Sequence, residues 1–176
     1  MIGLSTCFFS QKNIHGQEIL EQTKKLGCSY LELEYRISKE MFMEIKNYKH
    51  MYDIEIRSLH NFSFRPEEIP EEKADADFYN LSSMDIDERN QAISYTIQTI
   101  ENANSIEAPY VVLHLGDTGQ QKERDAFHHL ANSTKWNPKE HIFFNDYSHE
   151  RARLSQKSFD ATRSSLDSLI SIAEKE

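Results

Sequence analysis

Two histidines stand at positions where imidazole chemistry is useful. His60 closes the apolar segment IRSLHN, and His114 closes YVVLHLGD, the most hydrophobic segment of the chain. If both segments are strands of one parallel sheet, both imidazoles lie at the C-terminal ends, the rim where parallel sheets bind their ligands. Side chains alternate along a strand, so His60 shares a face with Ser58 and Ile56, and His114 with Val112 and Gly116. Neighbouring strands lie about 4.8 Å apart, close enough for two rim imidazoles to face one another and share one metal ion or one anion. Each can also be a core-edge histidine bonded to the next strand. Glu32 and Glu34, both on YLELEY, share a parity, and an inward carboxylate beside two histidines would suit a divalent metal such as zinc, manganese or magnesium. Glu34 is nearer the strand end, while Glu32 sits deeper or pairs with Arg57 or Arg36. Either glutamate can equally be half of a structural ion pair. Asp117 follows Gly116 in a turn that would present a carboxylate to the same rim. His128, His129, His141 and His149 have spacings that match no compact zinc module.

The elements that must position these groups are read from periodicity. Residues 2–7 form a short apolar run, followed by a helix over 17–26 with Ile19, Leu20, Thr23 and Leu26 on one face and Gly27 at its end. Strand 30–35 is followed by a helix capped by Ser38, with Met41, Phe42, Ile45 and Tyr48 sharing a face. Strand 54–61 leads through a polar loop to a helix opened by Asp85 and Glu88, with Ile86, Ile93, Ile97, Ile100 and Ala103 inward. Strand 110–115 is followed by a long connection, then a last helix capped near Asp146 or Ser148 and carrying Leu154, Ala161, Leu166, Leu169, Ile170 and Ala173. Four strand–helix units predict an α/β fold with a parallel sheet in the order 1-2-3-4, because parallel neighbours need a crossover. No G-x-G-x-x-G turn follows the first strand, which argues against a dinucleotide fold and a nucleotide cofactor. A closed (β/α)₈ barrel takes about 250 residues, and this chain has 176. The expectation is one domain over 1–176 forming half of such a barrel, truncated or completed by a second copy as a homodimer. Its long βα loops, 61–84 and 117–147, would cover substrate from the rim or be tolerated surface insertions, and aromatics such as Phe62, Tyr79, Trp136 and Phe144 would stack on a sugar ring or simply anchor the loops.

Composition narrows the partners. The formal charge is −9, from 20 Lys and Arg against 29 Asp and Glu, which repels polyphosphates and disfavours nucleic acid. No segment is long and apolar enough to span a bilayer or serve as a signal peptide, so the expected location is the cytoplasm, with no membrane partner. Cys7 and Cys28 are expected as buried thiols in that reducing compartment.

The opening IGLST, LGCSYLELE, IRSLHN, the stretch NLSSMDIDERNQAISYTIQTIENANSIEAPYVVLHLGD and the closing SLDSLISIAEKE, in this order and spacing, resemble the xylose isomerase-like TIM barrel superfamily. That superfamily holds sugar phosphate isomerases and epimerases and the endonuclease IV group. The resemblance implies that His60 and His114 lie where endonuclease IV-like members place metal ligands and where epimerase-like members line the substrate pocket. It matches Glu32 to a strand 2 glutamate and Arg89 to an arginine early in helix 3. It also implies that most metal ligands and general bases come from strands 5 to 8, beyond this chain. The expected function is thus a sugar or sugar-phosphate isomerase or epimerase, inactive as this chain alone. The alternatives are an endonuclease IV-like metal-dependent phosphodiesterase and a non-catalytic half-barrel that binds a partner or itself.

Overall fold

The computed structural model describes residues 2–9, 14–66, 69–70, 75–116, 118, 120–133 and 135–176. Strand β1 (Gly3–Ser5) runs into a 3-10 turn (Thr6–Phe9), then come helix α1 (Gly16–Lys25), strand β2 (Tyr30–Leu33), helix α2 (Lys39–Tyr48) and a second 3-10 turn (Lys49–Tyr52). Strand β3 (Glu55–His60), helix α3 (Ile86–Ser105), strand β4 (Tyr110–Val112), helix α4 (Gln121–Ala131) and helix α5 (Pro138–Ala173) complete the order. The strands form one sheet in the order β1-β2-β3-β4, and every pair is parallel. This is the expected α/β arrangement of half a barrel, with strands shorter than the periodicity suggested. In particular β4 ends at Val112, so His114 lies two residues beyond the ladder.

Register decides which face each side chain takes. Leu4 pairs with Leu31, Leu31 with Ile56, Leu33 with Leu59, and Leu59 with Val111, which gathers the apolar side chains on the helix-covered face. Leu31, Leu33, Ile56 and Leu59 are almost fully buried there, against Ile19 and Leu20 of α1 and Phe42 and Ile45 of α2. Burying each such side chain is worth about 1.5–3 kcal/mol. The opposite, inner face carries Ser5, Glu32, Ser58, His60 and Val112, matched strand to strand. Between Leu31 and Glu32 the β2–β3 register slips: Leu31 faces Ile56, yet Glu32 faces Ser58, leaving Arg57 as the extra residue of a bulge. Such a residue resets the alternation. His60 therefore shares a face with Ser58 as expected, but not with Ile56, which is buried on the helix side.

The helices are held by local chemistry. Ser38 Oγ accepts from Met41 N at the start of α2. The N-cap of α1, His15, has no side-chain bond, and Glu44 Oε2 from α2 accepts from Gly16 N at 2.7 Å instead. A Cβ at Gly16 would lie 2.4 Å from the Met41 carbonyl, so the two helices meet closely only because residue 16 is glycine. Asp85 caps α3 by accepting from Asp87 N and Glu88 N. Glu88 does not return to the cap as a capping box would; it accepts from Ser83 Oγ at 2.6 Å. Ile86 is 54% exposed, against the inward placement read from its spacing, because the buried stripe of α3 is Ala92, Thr96, Thr99, Ile100 and Ala103.

The connection 117–147 departs most from the sequence reading. It holds α4 and the first turns of α5, which starts at Pro138 rather than near Asp146 or Ser148. Asn137 accepts from Lys139 N and Glu140 N while Glu140 returns to Asn137 N, a complete capping box with proline at the first turn. Phe127 stacks on Phe144 at 4.8 Å between ring centroids, and Trp136 meets Phe144 at 4.7 Å, so aromatics hold α4 against α5. Cys28 is buried as expected; Cys7 is exposed on the turn after β1, where Arg36 Nη2 donates to its Sγ at 3.0 Å. No helix among the described residues is long and apolar enough to cross a membrane.

Candidate functional site

At the C-terminal edge of β3 and just past β4, the His60 and His114 rings face each other with centroids 4.8 Å apart and planes at 61°. Their placement starts from the ladder. His60 pairs with Val112, and Asn61 N donates to Val112 O at 2.9 Å, one bond beyond the strand. The Asn61 side chain is buried and points to α3, where its Nδ2 donates to Thr96 Oγ1 and its Oδ1 accepts from Thr99 Oγ1, both at 2.9 Å. Anchoring residue 61 to the helix layer turns residue 60 to the open inner face. Val112 and His114 then share the parity of His60's partner, which brings the second imidazole to the first.

Each ring has a further contact. His114 Nδ1 lies 3.1 Å from Asp77 Oδ1, both partly exposed. A carboxylate oxygen accepts, so the contact is met by an Nδ1–H of His114, which leaves Nε2 on the far side of the ring. His60 Nδ1 lies 3.3 Å from the Asn61 carbonyl oxygen, which as an acceptor selects the same tautomer. Tyr35 packs edge-on to His60 at 5.8 Å. Burial raises the Tyr35 phenol above its ordinary range, with the Arg36 charge opposing, so the hydroxyl stays protonated at neutral pH.

The two glutamates take different places. Glu32 lies on the inner face one layer below the histidines, where Ser58 Oγ donates to its Oε2 at 3.0 Å. Glu34 is buried and paired with Arg36 Nε at 2.7 Å, while its N–H donates to Thr6 Oγ1 at 2.8 Å. Burial works against the Arg36 charge, and the bond and attraction to Glu34 outweigh it, holding the guanidinium above its ordinary value. Glu34 is therefore a structural ion pair at the rim's back. Arg89 donates to the Ser83 carbonyl within the loop before α3. Asp117 lies outside the described residues.

Asp77 and Tyr35 escaped the sequence reading. Asp77 reaches His114 from a loop in which nothing in the spacing of Asp75-Ala76-Asp77-Phe78 distinguishes one carboxylate from the other. Tyr35 alternates with Glu34, and its neighbour His60 is on another strand. A divalent metal fits this donor set poorly. Among the described residues no three His, Cys, Asp or Glu side chains gather to hold a metal ion. Protein sites for zinc use at least three ligands, whereas the rim offers two imidazoles, with Asp77, Glu32 and Glu34 already engaged.

No curated protein sequence matches the chain. The model of the xylose isomerase-like TIM barrel family matches residues 20–137, a span that runs from α1 through β4 to the cap of α5 and contains both histidines. With four parallel strands in sequential order, helices on one face and a family match over more than half its length, the chain belongs to the xylose isomerase-like TIM barrel family.

Proposed function

We propose that the His60–His114 rim recognises the oxygens of a sugar or sugar phosphate, and that the chain contributes this half-site to an isomerase- or epimerase-type barrel. The observation that carries the reading is the Asp77–His114–His60 arrangement on the open inner face. Two Nε2 atoms with fixed tautomers accept from, and in the protonated form donate to, adjacent substrate oxygens, which is what holding a carbonyl beside a hydroxyl requires. The Tyr35 ring walls one side, and Glu32 with Ser58 supplies a polar floor. Asp77 is committed to His114, Glu32 to Ser58 and Glu34 to Arg36. The resemblance puts the family's general bases on strands 5 to 8, so the expected outcome for residues 1–176 alone is binding without turnover.

The test follows the imidazole resonances by NMR while fructose 6-phosphate is added. Shifts of His60 and His114, lost for ligand added to His114→Ala, support the reading. Unmoved rim histidines with shifts elsewhere would refute it. A phosphodiesterase acting on DNA is the weaker reading, since the −9 charge opposes a polyanion. Self-association has its own support: β1 and β4 are edge strands of the four-stranded sheet, and Ile2 and Tyr110 beside those edges are 75% and 66% exposed. Sedimentation equilibrium separates it, because a closed dimer of half-barrels doubles the mass.

A further inference from the structure

The eight arginines divide into two groups by what their guanidinium groups touch. Arg36, Arg57 and Arg153 each hold a carboxylate, and Arg65 and Arg89 each donate to a backbone carbonyl. Arg124, Arg151 and Arg163 make no side-chain hydrogen bond or ion pair with any described residue, in a chain where acidic groups outnumber basic ones. All three line one cleft of about 580 Å³ between the end of β4, α4 and the middle of α5. Arg124 and Arg151 also line the adjoining cleft of about 390 Å³, so together they form the wall between the two. Like charges on two packed helices raise the free energy of the apo state, and an anion between them reverses the sign.

The rest of the cleft fits the remainder of a small molecule. Arg151, Ser155 and Phe159 follow one another at intervals of four along α5, which places them on one stripe of that helix. Ser155, whose Oγ donates to the Ala152 carbonyl at 3.0 Å, lines the cleft beside the guanidinium groups, and Phe159, 63% exposed, offers an apolar face one turn further on. Leu115 and Gly116 form the opposite wall, and Thr118 lies at the start of α4, whose N-cap Gln120 makes no capping bond. The positive end of that helix adds to the arginine field. Arg163 is twelve residues from Arg151, about 18 Å along the axis, and shares its end of the cleft with Asp167. A dianion is therefore drawn to the Arg124–Arg151 end, away from that carboxylate.

We infer that this cleft binds the phosphate of a small phosphomonoester between Arg124 and Arg151, with the organic part against Leu115 and Phe159. The site is distinct from the histidine pair, because its side chains come from α4, α5, the turn after β4 and Ser82 of the loop before α3, not from the inner face of the sheet. Titration calorimetry in about 50 mM salt, where surface charge is lightly screened, tests it with inorganic phosphate and phenyl phosphate as probes, the latter an ester with no sugar for the histidine rim to hold. Both are expected to saturate, the ester more tightly. Arg124→Gln with Arg151→Gln is expected to weaken both by about tenfold or more, the scale of one lost charge-assisted bond. Phe159→Ala should weaken the ester alone. Arg153→Gln removes an arginine already paired with Glu150 and should change neither. Absence of saturation, an unchanged double variant or an equal loss in Arg153→Gln would overturn the inference. So would tight binding of a short DNA duplex that phosphate does not displace. Amide shifts in the wild-type chain confirm the location without any variant: they should cluster at Thr118 and Ser155, and shifts confined to other surfaces count against it.

Discussion

Asn61 is the residue whose replacement best tests how the rim is held. Its amide makes two buried hydrogen bonds to α3, to Thr96 Oγ1 and from Thr99 Oγ1. Thr96 Oγ1 spends its own proton on the Ala92 carbonyl at 2.7 Å, and Thr99 Oγ1 keeps a second acceptor in the Tyr95 carbonyl at 3.0 Å. Asn61→Leu therefore deletes two bonds without orphaning either hydroxyl proton. At about 1 kcal/mol net per bond, with a smaller term for shape, the loss should be about 2–3 kcal/mol. Asn61→Asp is sharper. Thr96 can only accept at this point, so a carboxylate oxygen facing it is repelled, whereas a protonated carboxyl donates as the amide does. Burial raises the folded-state pKa of that aspartate above its unfolded value of about 3.9. With the folded value raised, the folded state binds more protons, so stability relative to wild type falls as pH rises from about 4 through the folded pKa. Urea unfolding followed by far-UV circular dichroism at about pH 5 and about pH 8 measures it. A wild-type-like Asn61→Leu, or an Asn61→Asp deficit equal at both pH values, would show that the amide does not anchor the end of β3 to α3.

Further outcomes follow from single contacts. Gly116 has φ +91°, and a Cβ there would lie 1.6 Å from Asn80 Oδ1. Gly116→Ala should lower stability by about 1–3 kcal/mol, read by thermal unfolding, and an unchanged Tm would contradict the close approach of the two rim loops. Gly16→Ala, blocked by the Met41 carbonyl, should likewise lower the melting temperature, and a higher Tm from the gain in helix propensity would contradict the contact between α1 and α2. The Glu107 carboxyl is held below its ordinary value by the hydrogen bond from Lys49. Its folded pKa is depressed, so its contribution is present above the unfolded carboxylate range and lost as pH falls through the folded value. Glu107→Gln should flatten that part of the acid unfolding profile, and an identical profile would count against the pair.

The sheet was legible because alternation survives in short strands: Leu31, Leu33 and Leu59 are spaced as a buried face must be, and a helix pattern follows each strand. Counting parity through β3 was legible only in part. The bulge at Arg57 flips the relation between Ile56 and His60, and no local signature of Arg57 announces it, because the slip is defined by the partner strand. The helical hairpin was obscured for a different reason. Its core is built from Phe127 of α4, Trp136 in the turn and Phe144 and Tyr147 in the first turns of α5, all set among polar residues, so its apolar density resembles that of a loop, although Asn137 to Glu140 carries a full capping signal. Asp77 and the unpaired arginines are facts about pairing, and pairing across distant segments leaves no spacing to read.

These features bear on how the rim and the arginine cleft relate. His114 and Gly116 are two residues apart, yet one imidazole faces the inner surface of the sheet while the residues after it wall a cleft against α5. Alternation alone would send Leu113 and Leu115 to the helix side and His114 to the inner side, and that is the observed division. Leu113 lines an apolar groove with Ile100 and Leu169, and Leu115 lines the arginine cleft. One short segment past β4 thus serves two surfaces because its side chains still alternate after its ladder bonds have ended. A shift of one residue in that segment would exchange the two sets, placing leucine beside His60 and the imidazole against α5. Ser82 and Asn80 crowd the Cβ position of Gly116, so the register is locked by the loop before α3 as much as by the strand. Loosening that lock through Asn80→Ala should therefore disturb the His60–His114 contact and the arginine cleft together, seen as coupled NMR shifts at His114 and Thr118. Movement at one without the other would show that the two surfaces are set independently.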